Sequence, residues 1–292
     1  MGAPRVRLQT TASGLTGLGA FGFANAEDGY LSTNNLVANG NGTTDLYWTA
    51  DGGRTWRQVD LGGRLVARVV ASGRHAYALA TTCPASVTIC PSYELASASV
   101  TGANWSRKDL NLPRFANASL AAFDSNVWIV FSHGGPPIDL LVSEDAGRTF
   151  SSPSNTGLSA VACEISASSR LIVWAFCPTG MMGFAVKSND GGRHFVQIGG
   201  SAVNSSYVVP FSDAIAVYIT YGQAFLTTDG GKTLNPMDLP GLQGAPDVVF
   251  ANRRLWVALG VLKGMQSDAQ ALWRTTNGGN TWVRASLPTL HG

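Results

Sequence analysis

Asp247 and Asp268 are the acidic residues best placed to attempt chemistry on a glycosidic bond. That reaction needs one carboxyl group to protonate the leaving oxygen and a second carboxylate facing it. Both lie in the last part of the chain, but the separation that decides such a mechanism is not set by sequence, and acidic residues at loop ends are ordinary. Other familiar chemistries have less behind them. "GLGAFG" (17–22) has the GxGxxG spacing of a dinucleotide loop, without a following helix or an acidic residue in a βαβ context. "HGG" (133–135) has the look of an oxyanion loop, yet the chain contains no G-x-S-x-G elbow. The four histidines are not at metal-ligand spacing, and "CPASVTIC" (83–90) lacks the further His or Cys of a zinc site. Neither a metal nor a cofactor is therefore expected.

The bulk of the chain speaks for strands. Of 292 residues, 45% are hydrophobic, only 13% are charged and 34 are glycine, a mixture suited to short strands and tight turns. The 20 basic and 18 acidic residues are interspersed, for a net charge of +2. That is not the footprint of a nucleic-acid binder. No run is apolar for the 18 or so residues of a membrane span, and "MGAPRVRLQTTASG" lacks the apolar core of a signal peptide.

One eight-residue turn recurs. It reads "TADGGRTW" (49–56), "SEDAGRTF" (143–150), "TTDGGKTL" (227–234) and "TTNGGNTW" (275–282). Its acidic position falls at Asp51, Asp145, Asp190, Asp229 and Asn277, and a degenerate copy with Val100 in that place ends at Trp105. Successive copies lie roughly 40–50 residues apart, a period that signifies stacked units. Before each turn come two apolar runs, such as "VARVVASGRHAYALAT" (66–81) and "SAVACEISASSRLIVWAFC" (159–177). Four short antiparallel strands per period, repeated six times, predict an all-β, six-bladed β-propeller with four-stranded blades. Residues 13–292 are assigned to it as a single domain, with 1–12 as a lead-in or edge strand. The turn itself reads as a structural joint: Asp or Asn accepts backbone N–H groups, Gly supplies positive φ, and the closing aromatic packs between sheets.

The turn resembles the Asp box, or BNR repeat, of sialidases and related propellers, a group similar also to photosystem assembly-factor propellers, sortilin-type receptors and xyloglucan-degrading glycoside hydrolases. The resemblance implies that the boxes occupy one rim and that ligands bind on the opposite face, formed by loops between strands two and three and between blades. Side chains carried to that face are Asn34, Asn35, Asp45, Arg64, Arg114, His133, Tyr207, Tyr221 and Lys263, with Asp247 and Asp268 as the catalytic alternative. Sialidase chemistry would require three arginines around a carboxylate, a Tyr nucleophile with a Glu partner, and an acid/base Asp. The Arg-Ile-Pro stretch of that family is missing where "LTGLGAFGFANAEDGYLS" stands. The expectation is a recognition module for a glycan or protein partner, monomeric and secreted, periplasmic or at the cell surface. A glycoside hydrolase other than a sialidase is the alternative.

Cysteine placement bears on export. Cys83 and Cys90 read as a local disulfide at a hairpin tip. If "SASSR" turns the chain, the residue opposite Cys163 is near Val173, and Cys177 lies about 13 Å further along at strand rise. A bridge needs Cα atoms within roughly 7 Å, so Cys163 and Cys177 are expected to be buried thiols.

Overall fold

The computed structural model describes residues 14–37, 43–81, 92–102, 104–112, 117–132, 138–160, 162–179, 182–198, 205–220, 223–237, 239, 242–250, 254–262 and 270–285. They form six antiparallel sheets, each from consecutive strands. Blade one holds β1 (Gly14–Phe23), β2 (Asp28–Val37), β3 (Thr43–Ala50) and β4 (Arg57–Val59); blade two holds β5 (Leu65–Ser72), β6 (His75–Thr81), β7 (Tyr93–Ser99) and β8 (Ser106–Asp109). Blade three has β9 (Asn117–Phe123), β10 (Asn126–Ser132) and β11 (Ile138–Ser143). Its fourth strand is reduced to one bridge, Val142 to Ser151. Blade four comprises β12 (Glu164–Ala167), β13 (Val173–Thr179), β14 (Met182–Ser188) and β15 (Val196–Gln197). Blade five comprises β16 (Ser205–Pro210), β17 (Ala216–Thr220), β18 (Ala224–Thr227) and β19 (Asn235–Met237), and blade six β20 (Leu242–Phe250), β21 (Trp256–Leu262), β22 (Gln270–Thr275) and β23 (Val283–Arg284). The fold is a six-bladed β-propeller.

Sequence explains the layering. A second strand covered on both faces by neighbouring blades can be apolar throughout instead of alternating. In β6, β10 and β17 nearly every residue is buried. The first strands crowd the axis and favour small residues. A Cβ on Gly22 would stand 2.9 Å from the Ala71 amide nitrogen, so a side chain there would force two blades apart. Fourth strands are short and exposed, as in β8, where every residue faces solvent.

Each seam between blades carries apolar packing and a polar tie. Tyr30 donates to the Val100 carbonyl at 3.0 Å, Tyr77 to that of Asp124 at 2.8 Å, and the Trp128 indole to that of Gly191 at 2.8 Å. Lys187 bonds Asp213 at 2.6 Å, and the Val248 amide donates to the Tyr207 hydroxyl at 2.8 Å. Blades six and one meet through Phe21, Phe23 and Leu31 against Val257, Leu259 and Leu272, with Arg274 donating to the Ala26 carbonyl at 3.1 Å. Among the described residues no strand is exchanged at this seam; side-chain packing and the Arg274 bond join the two blades there.

The cysteine expectation is overturned. Cys163 and Cys177 form a disulfide with Cα atoms 4.2 Å apart. The turn is not "SASSR": Glu164–Ala167 is strand, Ala167 pairs with Val173, and the chain reverses over Ser168–Ile172. Moving the reversal two residues on moves the partner of Cys163 by four, from Val173 to Cys177. Cys83 and Cys90 lie outside the described residues.

Candidate functional site

The turns sort the two ends of the ring. In every blade an amide of the recurrent turn bonds back to the link between first and second strands: Gly52 to Glu27, Ala146 to Ser125, Gly191 to Leu171, Gly230 to Ala214 and Gly278 to Arg254. Even the degenerate copy keeps this tie, Val100 to Arg74. The other end belongs to the strand-two-to-three loops and the interblade connections, as expected.

Within the turn, Asp51 Oδ1 accepts the Arg54 and Thr55 amides at 2.9 and 2.8 Å, three and four residues on rather than two, while Thr55 Oγ1 donates to Oδ2 at 2.6 Å. Thr49 Oγ1 donates to Asp51 and accepts the Gly53 amide, both at 2.9 Å. Asp145 and Asp229 repeat this pattern. At Asp190 the final hydroxyl is replaced by His194 Nδ1, 2.7 Å from Oδ2. Asn277 reverses one bond, its amide donating to Thr281 Oγ1 at 2.8 Å. The acidic oxygens are thus committed to the turn, which makes it a joint.

These bonds tune the carboxyls. Burial would raise Asp51, but the Thr55 hydroxyl and amide, the Thr49 hydroxyl and the Arg54 amide outweigh it and hold it at about 2. Asp190, where burial is outweighed by Ser188 and His194, also sits at about 2. Asp229 is held at about 2, chiefly by the Thr233 amide and hydroxyl, and Asp145 lies well below the carboxylate range, chiefly through the Thr149 hydroxyl. All four lie below the ~3.9 of an unfolded Asp. Their stabilisation is therefore complete above about pH 4 and is lost as pH falls from there toward 2, trimmed by solvent screening. The melting temperature is expected to hold steady from pH 7 to about 5 and decline below about 4. The double variant Asp51→Asn, Asp229→Asn should decline less steeply, since Asn277 already fills this position. An equally steep decline would remove the turns as the acid-labile element.

At the loop end, register builds a polar level around the axis. Gly29, Val127, Val173, Ala216 and Trp256 face the turn's Ser or Thr, and Ala76 faces Ala98 in the degenerate copy. Three residues further along β6, β10, β13, β17 and β21, the partners on the inner strands are Arg68, Ser119, Glu164, Tyr207 and Asp247. Arg68 Nη2 reaches Glu164 Oε1 at 2.8 Å, joining blade two to blade four past blade three. Ser119 Oγ donates to Glu164 Oε2 at 2.8 Å and accepts the Ile165 amide at 3.0 Å. A bulge between Val66 and Arg68 re-aims the arginine. Burial pushes the Tyr93 hydroxyl up against the opposing pull of Arg68. Arg68 and Glu164 are 44% and 40% exposed, so the pair remains open to a ligand.

The residues singled out from sequence disperse. Tyr207 and, by its backbone pairing with Leu259, Asp247 share the polar level. Arg64 is committed to Glu94 by two bonds of 3.1 Å, and that carboxylate raises its proton affinity. Asp45 accepts from Gln58 at 3.0 Å. Asn34 and Asn35, expected in a loop, are strand residues paired with Thr44 and Thr43. Arg114, His133, Tyr221, Lys263 and Asp268 lie outside the described residues. Arg68, Ser119 and Glu164 were missed, although part of the signal was present: Arg68 and Glu164 are charges within otherwise apolar runs of first strands.

The sequence matches no family model and no curated protein. The chain is similar in structure to YCF48 bound to D1 peptide, at 16% identity, covering 93% of this chain and 82% of that one with a TM-score of 0.52. It is similar to the Aleuria aurantia lectin in complex with alpha-methyl-L-fucoside at 10% identity, covering 97% of both chains with a TM-score of 0.61. It is also similar to the Hadza microbial sialidase Hz136 at 12% identity, covering 94% of this chain and 66% of that one with a TM-score of 0.61. At these identities the shared property is the propeller fold.

Proposed function

We propose that the protein is an exported recognition propeller that binds a glycan or a protein segment over the loop end of its axis, with the Arg68–Glu164 pair at the centre. The observation that carries this reading is that pair: one guanidinium and one carboxylate of near-cancelling charge, mounted on rigid inner strands and held by Ser119. Such an array offers directed donors and acceptors to hydroxyl or amide groups while lacking the net charge that would select an ion. Placement on strands keeps it pre-organised. Export is supported by the Cys163–Cys177 disulfide. The similar structures include one propeller with a fucoside and one with a peptide, which gives the two ligand classes to test.

The test is a glycan array and a peptide array probed with the wild-type chain and with Arg68→Ala. Saturable binding weakened at least tenfold by Arg68→Ala, with little change in melting temperature, is the expected result. An exposed ion pair is worth only about 0–1 kcal/mol to folding, so stability and binding should separate. Binding indifferent to Arg68→Ala, or none on either array, would remove the reading.

A second reading is favoured by one observation, the placement of Asp247 on the level of Glu164. A glycoside hydrolase would use Asp247 with Glu164 or with Asp268 as its carboxylate pair. Release of reducing sugar from an array hit, abolished by Asp247→Asn, would establish it in place of recognition alone.

A further inference from the structure

The other end of the axis holds a different site. A cavity of about 450 Å³ opens among the inner strands on the side of the recurrent turns. All six blades contribute to it, among them Phe23, Val70, Leu120, Ile165, Val209 and Val249. Val70, Val209 and Val249 are only half-buried although they lie on inner strands, and the surface they leave uncovered lines this cup. The lining ends at Val70, Leu120, Ile165 and Tyr207. The Arg68–Glu164 pair lies beyond it toward the loop end.

We propose that this axial cup binds a neutral, compact apolar molecule of one or two rings carrying a single hydrogen-bonding group. Its volume falls within the ~300–1,000 Å³ of small-molecule pockets and is too confined for a folded segment of polypeptide. Asp124 is the one charged side chain in the lining, 43% exposed and accepting the Arg74 amide at 3.4 Å, so an anion would meet no cation there and a charge among the apolar walls would be desolvated without compensation. One polar group is already waiting: Ser168 lines the cup, and its Oγ is buried without a hydrogen-bond partner. With the Ser168 side chain turned into the cup, a bound hydroxyl or ring N–H would satisfy it. Because no strand among the described residues is exchanged between blades six and one, a molecule touching all six blades also links these two from inside, and should raise the melting temperature by mass action. This site is at the opposite end from the proposed recognition surface, and its fate is independent of that reading.

The test uses 6-bromo-2-naphthol, with naphthalene-2-sulfonate as the anionic control, measured by calorimetry and thermal shift on the whole chain. The expected result is saturable binding at one site, with the sulfonate at least tenfold weaker. Val209→Trp and Ser166→Phe, which fill the cup from blades five and four, should each weaken binding at least tenfold. Ser168→Ala should narrow the preference for the naphthol over bromonaphthalene. A crystal soaked in the naphthol supplies a reading that does not depend on any variant folding: the bromine should appear on the axis between Val70, Leu120 and Val209. Bromine bound only elsewhere, equal affinity for the sulfonate, or no saturable binding of the naphthol would overturn the proposal.

Discussion

Trp128→Ala is expected to destabilise the protein by about 3–5 kcal/mol, the range for truncating a buried Trp in a core that cannot collapse around the gap. Trp128 is 1% exposed and sits in a cluster shared by blades three and four, with Val130 and Leu140 on one side and Ile165, Val173 and Phe195 on the other. Its indole N–H holds the Gly191 carbonyl at 2.8 Å. The ring also leaves no room for a side chain at Gly192, where a Cβ would come within 3.1 Å of it. Two losses therefore fall together, the cavity and an orphaned carbonyl in the turn of blade four. Trp128→Phe separates them: it keeps much of the ring volume and gives up the hydrogen bond, a change of about 1–2 kcal/mol. Urea unfolding followed by both fluorescence and circular dichroism is the measurement. If the two variants unfold at the same urea concentration, packing across this seam is not what the tryptophan supplies.

That seam was readable in advance, because "NVWIVF" and "IVWAFC" stand at equivalent places in two periods. A repeated turn fixes chain direction, and an apolar run ahead of it fixes which strand is enclosed, so blade number and strand order follow from local patterns. The centre of the polar level did not follow. Arg68 and Glu164 are 96 residues apart and come from blades that do not touch as neighbours, so their meeting depends on ring geometry that no local pattern carries. Each lies within a run that reads as apolar. The loop placement of Asn34 and Asn35 differs for another reason. An Asn-rich stretch reads as a turn, yet strand preference at a solvated end is decided by the ladder partners available, here Thr44 and Thr43. Arg64 was carried to the loop face, and its engagement by Glu94 was not foreseen because Glu94 lies on another strand of the same blade.

The misplaced reversal at Ser168–Ile172 has the same origin and leads to the second large effect. Polar residues in "SASSR" suggested a turn, but Ser166 belongs to an inner strand whose edge faces the axial cavity, so polarity there does not end the strand. With the register corrected, Cys163 faces Cys177. Replacing both, as Cys163→Ala with Cys177→Ala, is expected to cost about 3 kcal/mol, the loop-entropy value for a closed loop of roughly 15 residues. The bond also adjoins Glu164, which pairs with Phe176 one step along the same ladder. The strand carrying Glu164 spans only Glu164–Ala167, so its first residue depends on the crosslink to hold position under Arg68. The double variant should therefore lose affinity for any ligand of the loop end beyond what its lower melting temperature explains, measured well below that temperature. Wild-type protein denatured without reductant should yield neither Cys163 nor Cys177 to a thiol reagent. Labelling of both would return them to the free thiols that the uncorrected register implied. Affinity unchanged in a folded double variant would show that Glu164 keeps its place without the bond.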